Sequence, residues 1–434
     1  MNLSTVPADT APTRQNRVRG GSAFLWSVVL MAGLMLVASA CGGDATVEID
    51  PDNPSGVSQI GTTADDVLLW ATAVGDGYVA SGSTVGAVAS DPAGGKDVYV
   101  RIDTSSGVIE DQFGTPTDDA ALGNAVAPDG TIYVTGYTNG DLAATNQGSA
   151  DIWLKAYAPS GEPLWTVQVG GTLWDRAYSV IADDTGAFVT GYTFGDFADV
   201  GIGEADAFVA RFSTTGDLEW LNQYGSEKLD WGQGGAAAPD GGLFLVGFTE
   251  GSIGSSDAEE RDAFVMRIAA DGTLISSVQF GTPAVDWATS AVSTESSVVV
   301  VGHTAGSLGG SNSGDADVFA VAFDSDLSER WRLQFGTEAK DQGYGVAAVP
   351  GGYLISGFTM GRLGEVAYGD RDGVVAFVSD EGELVSVGQV GSAAVDETYG
   401  VVLTESGAVF VGYTTGSLGG QHLGGTDIIE IRYE

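Results

Sequence analysis

The 434-residue chain reads as all-β, built from seven copies of one four-stranded unit, and three observations lead there. First, a frame recurs every 53 to 56 residues: Gln-x-Gly, an Asp five residues past that Gly, a Gly-x-Thr-x-Gly box, and a second Asp eleven residues past the box. The Gln anchors are Gln59, Gln112, Gln168, Gln223, Gln279, Gln334 and Gln389, and the boxes begin at Gly82, Gly136, Gly191, Gly247, Gly302, Gly357 and Gly412. A fixed period of this size marks a repeat architecture. Second, the 66 glycines are about twice the average usage of roughly 7%. Third, Val, Thr, Tyr, Phe and Trp fill short runs between turn signals, and no long helical pattern follows residue 41.

The amino-terminal element comes first in the chain. Arg14, Arg17 and Arg19 precede an apolar run at 23–40, and Ala38-Ser39-Ala40 leads into Cys41, the only cysteine. The segment resembles a bacterial lipobox, which implies a lipoprotein-type signal peptide over 1–40, lipidation at Cys41 and a tether over 41–54. The 18-residue run also approaches the roughly 20 residues that span a bilayer, so a transmembrane anchor stays open as the other reading.

Within each repeat four short strands are expected. In the third they fall at 178–182, 187–193, 206–213 and 218–224, with turns at Asp184-Thr185-Gly186 and Thr215-Gly216-Asp217. Pro128-Asp129-Gly130, Pro239-Asp240-Gly241 and Asp271-Gly272 supply the same turn chemistry elsewhere. First strands are rich in small residues, as in Gly235-Ala236-Ala237-Ala238, which suits a crowded axis. Second strands are nearly continuous apolar runs, as at 298–301, which suits sheets covered on both faces. Four-stranded sheets repeated around a channel make a β-propeller, here with seven blades over 55–434 as one domain. A β-solenoid is the alternative, although its repeats are shorter.

Closure is predicted from the ends. The last repeat stops after its third strand, at 427–433, and the missing fourth strand, with its Gln-x-Gly, lies at 55–61. The N-terminal strand should therefore complete the last blade and remove an exposed edge.

The segments QVGGTLWDRAYSVIADDTGAFVTGYTFGDF and QFGTPTDDAALGNAVAPDGTIYVTGYTNGDL, and their counterparts over 59–434, resemble the seven-bladed β-propeller repeats called SBBP repeats. The box aromatic is replaced by Ser83 in the first repeat and His303 in the fifth. The resemblance implies an exported or surface-exposed propeller and carries no catalytic residue.

With 58 acidic and 17 basic residues the formal net charge is −41. Nucleic acid and anionic lipid are poor partners for such a surface, whereas cations and basic partners are attracted to it. The first Asp row is Asp66, Asp119, Asp175, Asp230, Asp286, Asp341 and Asp396, expected in loops before the inner strands. The second is Asp97, Asp151, Asp206, Asp262, Asp317, Asp372 and Asp427, each opening a third strand. Two readings stay open: each Asp caps local backbone N–H groups, or the first row forms a carboxylate ring that collects Ca²⁺.

Trp174, Trp231 and Trp287 lie beside the first row, with Tyr178, Tyr344 and Tyr399 a few residues on. Aromatic faces beside carboxylates suit a glycan, and they equally suit packing between blades. Together with Asp175, Asp230, Asp286, Asp341 and Asp396 the three Trp residues are the candidate binding residues. Only His303 and His422 are present, the first expected to pack and the second to be solvated, so no catalytic residue is assigned. Arg176, Lys228, Lys340, Glu259, Glu260 and Arg261 break the repeat symmetry and are expected as solvated or ion-paired charges. The leading expectation is a surface-tethered binding module for a glycan or envelope polymer or a protein. The alternatives are a polysaccharide hydrolase or lyase and an envelope scaffold.

Overall fold

Glycine-bearing turns divide the chain into strands of five to nine residues, and Gly216, at φ +84°, shows why glycine is needed there. The computed structural model describes residues 49–197, 201–253, 260–364 and 366–434; the expected signal peptide, Cys41 and Glu259 lie outside the described residues. The described strands form seven four-stranded antiparallel sheets arranged in a ring, a seven-bladed β-propeller. Blades one to six span 66–113, 119–169, 175–224, 230–280, 286–335 and 341–390, and blade seven combines 396–433 with the strand Gly56–Ile60.

In blade three the expected second, third and fourth strands are observed at Gly186–Thr193, Asp206–Ser213 and Leu218–Tyr224. The inner strand, Asp175–Asp183, begins three residues earlier than expected. Its first residue is the aspartate assigned to a loop, and the same correction applies in every blade. The cause lies in the neighbouring blade: Asp175 N–H donates to Ala150 O at 2.9 Å, and Asp230 N–H to Ala205 O at 2.8 Å, which draws the backbone into ladder geometry.

The core is divided among the blade interfaces. Phe244, Val246 and Val265 of blade four, for example, pack on Val298, Val300 and Phe319 of blade five. Second strands such as Gly77–Thr84 and Gly186–Thr193 are buried along their whole length, because a blade lies on each side. The box glycine has a steric reason. A Cβ at Gly191 would collide with Arg176 O on the adjacent inner strand, and one at Gly247 with Trp231 O.

The ring closes as expected. Gly56–Ile60 pairs antiparallel with Asp427–Tyr433, Gly56 opposite Arg432 and Ile60 opposite Ile428. Residues 49–54, within the expected tether, lie against the same region. Ile49 is buried in the cluster between blades six and seven, and Tyr433 Oη donates to Pro51 O at 2.9 Å. A charge network joins blade seven to blade one, with buried Glu430 accepting from Tyr78 Oη (2.6 Å) and Arg101 Nε (2.9 Å).

Deleting residues 49–61 should lower stability by on the order of 5 kcal/mol, since it strips one strand ladder and the apolar contacts of Ile49. Thermal melting of the deleted and intact chains checks this, and an unchanged midpoint would contradict the closure argument.

Candidate functional site

The two aspartate rows resolve into one hydrogen-bonded latch per blade. The second-row carboxylate accepts from the Gln-x-Gly side chain: Gln112 Nε2 to Asp97 at 3.0 Å, Gln168 to Asp151 at 2.9 Å, Gln334 to Asp317 at 2.8 Å and Gln59 to Asp427 at 2.6 Å. Each Gln also donates to the carbonyl of the last box glycine, as Gln168 to Gly140 O at 3.0 Å. Its own carbonyl accepts loop N–H groups, for Gln168 those of Leu142, Ala143 and Ala144. The box threonine accepts from that same last glycine, as Thr138 Oγ1 does from Gly140 N–H at 3.0 Å.

First-row aspartates are wholly buried and accept from the residue four positions earlier. Asp66 takes both the N–H and the hydroxyl of Thr62 (2.6 and 2.8 Å), Asp286 those of Thr282 (2.5 and 2.9 Å), and Asp341 those of Thr337 (2.6 and 2.9 Å). Asp119, Asp230 and Asp396 repeat this with Thr115, Ser226 and Ser392, and Asp175 takes Gly171 N–H alone. Burial pushes the carboxyl pKa of all seven up, and hydrogen bonds from the box threonines and the preceding turn pull it partly back. The capping reading therefore accounts for the oxygens that these bonds engage. Among the described residues no group of three or more His, Cys, Asp or Glu side chains is placed to hold a metal ion together.

The frame breaks three residues past each first-row aspartate. Every inner strand carries a β-bulge there, and the extra residues are Leu69, Leu122, Tyr178, Gln233, Thr289, Tyr344 and Tyr399. All seven line one axial cavity of about 400 Å³, joined by Trp70, Trp287, His303, Lys340 and Gln342. A bulge redirects one side chain per blade, so the ring brings together residues some 50 positions apart in sequence.

Aromatic faces dominate two arcs of this region. Trp231 stacks on Tyr192 at 4.2 Å and meets Trp287 edge to face at 5.7 Å, while Trp287 lies 5.8 Å from the His303 ring. Opposite, Tyr344 stacks on Tyr399 at 4.4 Å, and Tyr399 Oη donates to the buried Glu397 at 2.7 Å. Several buried polar atoms here have no partner within the described protein: Trp231 Nε1, Gln233 Oε1, Trp287 Nε1 and His303 Nδ1. Such groups are costly unless a ligand or water meets them.

Trp231 and Trp287 thus belong to the axial aromatic array. Trp174 is separate: it is 39% exposed, and its ring lies 4.9 Å from the Arg176 guanidinium, which also covers Tyr137. Asp175, Asp230, Asp286, Asp341 and Asp396 do not line the cavity; they are buried and accept from the turns that precede them. Arg261 pairs with Glu250, Lys228 is exposed, and Lys340 is exposed at the cavity. His422, expected in solvent, is half-buried against Asp427 at 3.2 Å. His303 packs on Trp287 as expected and also faces the cavity; burial, then the charge of Lys340, lowers its pKa to about 3. Leu69, Trp70, Leu122, Gln233, Thr289 and Gln342 were not anticipated as site residues. The signal available for them was irregular identity at a fixed position inside a regular frame.

No family model matches the chain, and no curated protein matches it by sequence. Solved structures with a similar fold include the WD40 β-propeller domain of Doa1 (11% identity, TM-score 0.49, covering 87% of this chain and 96% of that one). The Pan2 WD40 domain of Neurospora crassa matches at 9% identity and TM-score 0.42, over 72% and 90% of the two chains. Puromycin hydrolase matches at 12% and 0.49, over 85% of this chain and 52% of that one. These likenesses concern architecture, and no activity follows from them.

Gln389→Ala should cost about 1–3 kcal/mol, because it removes a side-chain donor to the buried Asp372 carboxylate, leaving Tyr368 N–H, and strands the Leu363 N–H. Chemical denaturation checks this, and a neutral substitution would remove the latch from the account.

The pH dependence has two opposed sources. The raised aspartate values mean that the folded chain holds those protons more tightly, so their contribution is present in acid and lost as pH rises through the raised values. His303 acts the other way: the unfolded imidazole gains a proton near 6.5 that the folded one refuses until about 3, so stability falls as pH drops between them. His303→Phe should flatten that decline, seen as a denaturation midpoint that, relative to wild type, shifts in favour of the variant on going from pH 7 to pH 4.5.

Proposed function

We propose that the protein is an exported, surface-tethered binding module that takes a glycan or envelope polymer at its axial cavity. The observation that carries this reading is the convergence of seven bulge residues on one space of about 400 Å³, within the range of small-molecule sites. Sugars have apolar faces for stacking and hydroxyls that both donate and accept, which suits flat aromatic rings beside unpartnered Gln233, Trp287 and His303 atoms. The likeness of the repeats to SBBP repeats supports export, as do the Arg-led apolar segment and Cys41, which would carry the lipid. The calcium expectation for the first aspartate row is part of the same proposal.

The test is a glycan and envelope-polymer array probed with residues 42–434, with calcium and then with chelator. Binding to a defined glycan is expected, and Trp287→Ala or Tyr344→Ala should weaken it roughly tenfold through lost stacking. No binding in either condition would overturn the proposal, and chelator-insensitive binding would remove calcium from it.

A further inference from the structure

The axial cavity holds one feature that neutral sugars do not explain. Lys340 lines it and is exposed, and among the described residues its ammonium forms no ion pair. Arg371 is paired with Glu397, and Arg261 with Glu250 at 2.8 Å; Arg176 packs on Tyr137 and Trp174, and of these cations Lys340 is the one that lines the cavity. The adjacent Asp341 is no partner for it, since that carboxylate is turned inward to Thr337.

Beside Lys340 the cavity offers Gln342, Gln233 and His303, the last only 8% exposed with Nδ1 lacking any partner in the protein. Burial leaves that imidazole neutral at physiological pH, so it adds no second charge. Tyr344 and Tyr399, their rings 12° from parallel, and Trp287 add flat apolar surface.

We propose that this cavity selects a carboxylate-bearing sugar, a single hexuronate residue, with Lys340 meeting the carboxylate, the amides and His303 meeting hydroxyls, and the aromatic rings facing the pyranose. This rests on the glycan-binding reading above and narrows it. One ammonium with neutral hydrogen-bonding groups suits a monoanion; a phosphate dianion is better met by guanidinium forks or clustered backbone N–H groups. A purely aromatic acid would strand the Gln and His groups. The net charge of −41 disfavours long polyanions by repulsion, so a free or chain-terminal residue is the form that fits.

The test uses the full chain purified in mild detergent, titrated calorimetrically with glucuronate, galacturonate, glucose, galactose and benzoate at low and high salt. One uronate should bind at least about tenfold more tightly than its parent hexose, the advantage shrinking with salt. Lys340→Gln should abolish that advantage, bringing uronate and hexose to equal affinity, without moving the melting temperature, and Lys340→Arg should keep most of it. Equal affinity for uronate and hexose, a Lys340→Gln variant with undiminished preference, or tighter binding of benzoate would overturn this inference while leaving a binding cavity in place. Failure of folded wild-type protein to bind any sugar would overturn both this inference and the reading beneath it.

Discussion

A carboxylate removed from water must find donors, and each blade is assembled around two that do. The outer one holds the Gln of the fourth strand, which in turn holds the loop after the second strand and the carbonyl of the last box glycine. The inner one gathers the turn that enters its own blade, while its backbone N–H bonds the preceding blade. Remove this pair of aspartates and three connections lose their anchors together. The Gln-x-Gly, the box threonine and both aspartates are therefore parts of one device rather than four separate motifs.

The same device explains why a conspicuous acidic repeat is not an acidic surface. All first-row aspartates are wholly buried, and those of the second row nearly so. Each first-row carboxylate accepts from the residue four positions earlier and each second-row carboxylate from the fourth-strand Gln, while most keep one oxygen without a protein partner. The formal net charge of −41 counts these fourteen buried carboxylates, so the negative charge that faces solvent is carried by other positions, and against it the few cations at the channel mouth stand out.

Regularity in the latch leaves the bulge free to vary. Its backbone form is fixed by the close approach of the box glycine to the carbonyl two residues before the bulge, as for Gly191 and Arg176. Its side chain is not fixed by that contact, and the seven occupants range from Leu69 to Gln233 to Tyr399. Structural constraint and recognition are thus carried by adjacent positions of one strand. Trp231 and Trp287 illustrate the overlap, since their rings pack between blades while their indole N–H groups remain without protein partners.

Much of this was legible from local pattern. Strand Asp206–Ser213 began at the residue that the frame indicated, the closing strand Gly56–Ile60 was announced by its Gln59, and His303 was recognised as an occupant of an aromatic position. These depend on hydrogen bonds and packing within one repeat, or on a simple shortage of one strand, so the order of residues along the chain determines them. The axial cavity is different in kind. Leu122, Gln233 and Tyr344 become neighbours only when the blades close into a ring and a bulge in each turns one side chain inward. No local spacing encodes that meeting. Which faces the aromatics leave open, and which polar atoms stay unpaired, are consequences of ring geometry, and only the tertiary structure could decide them.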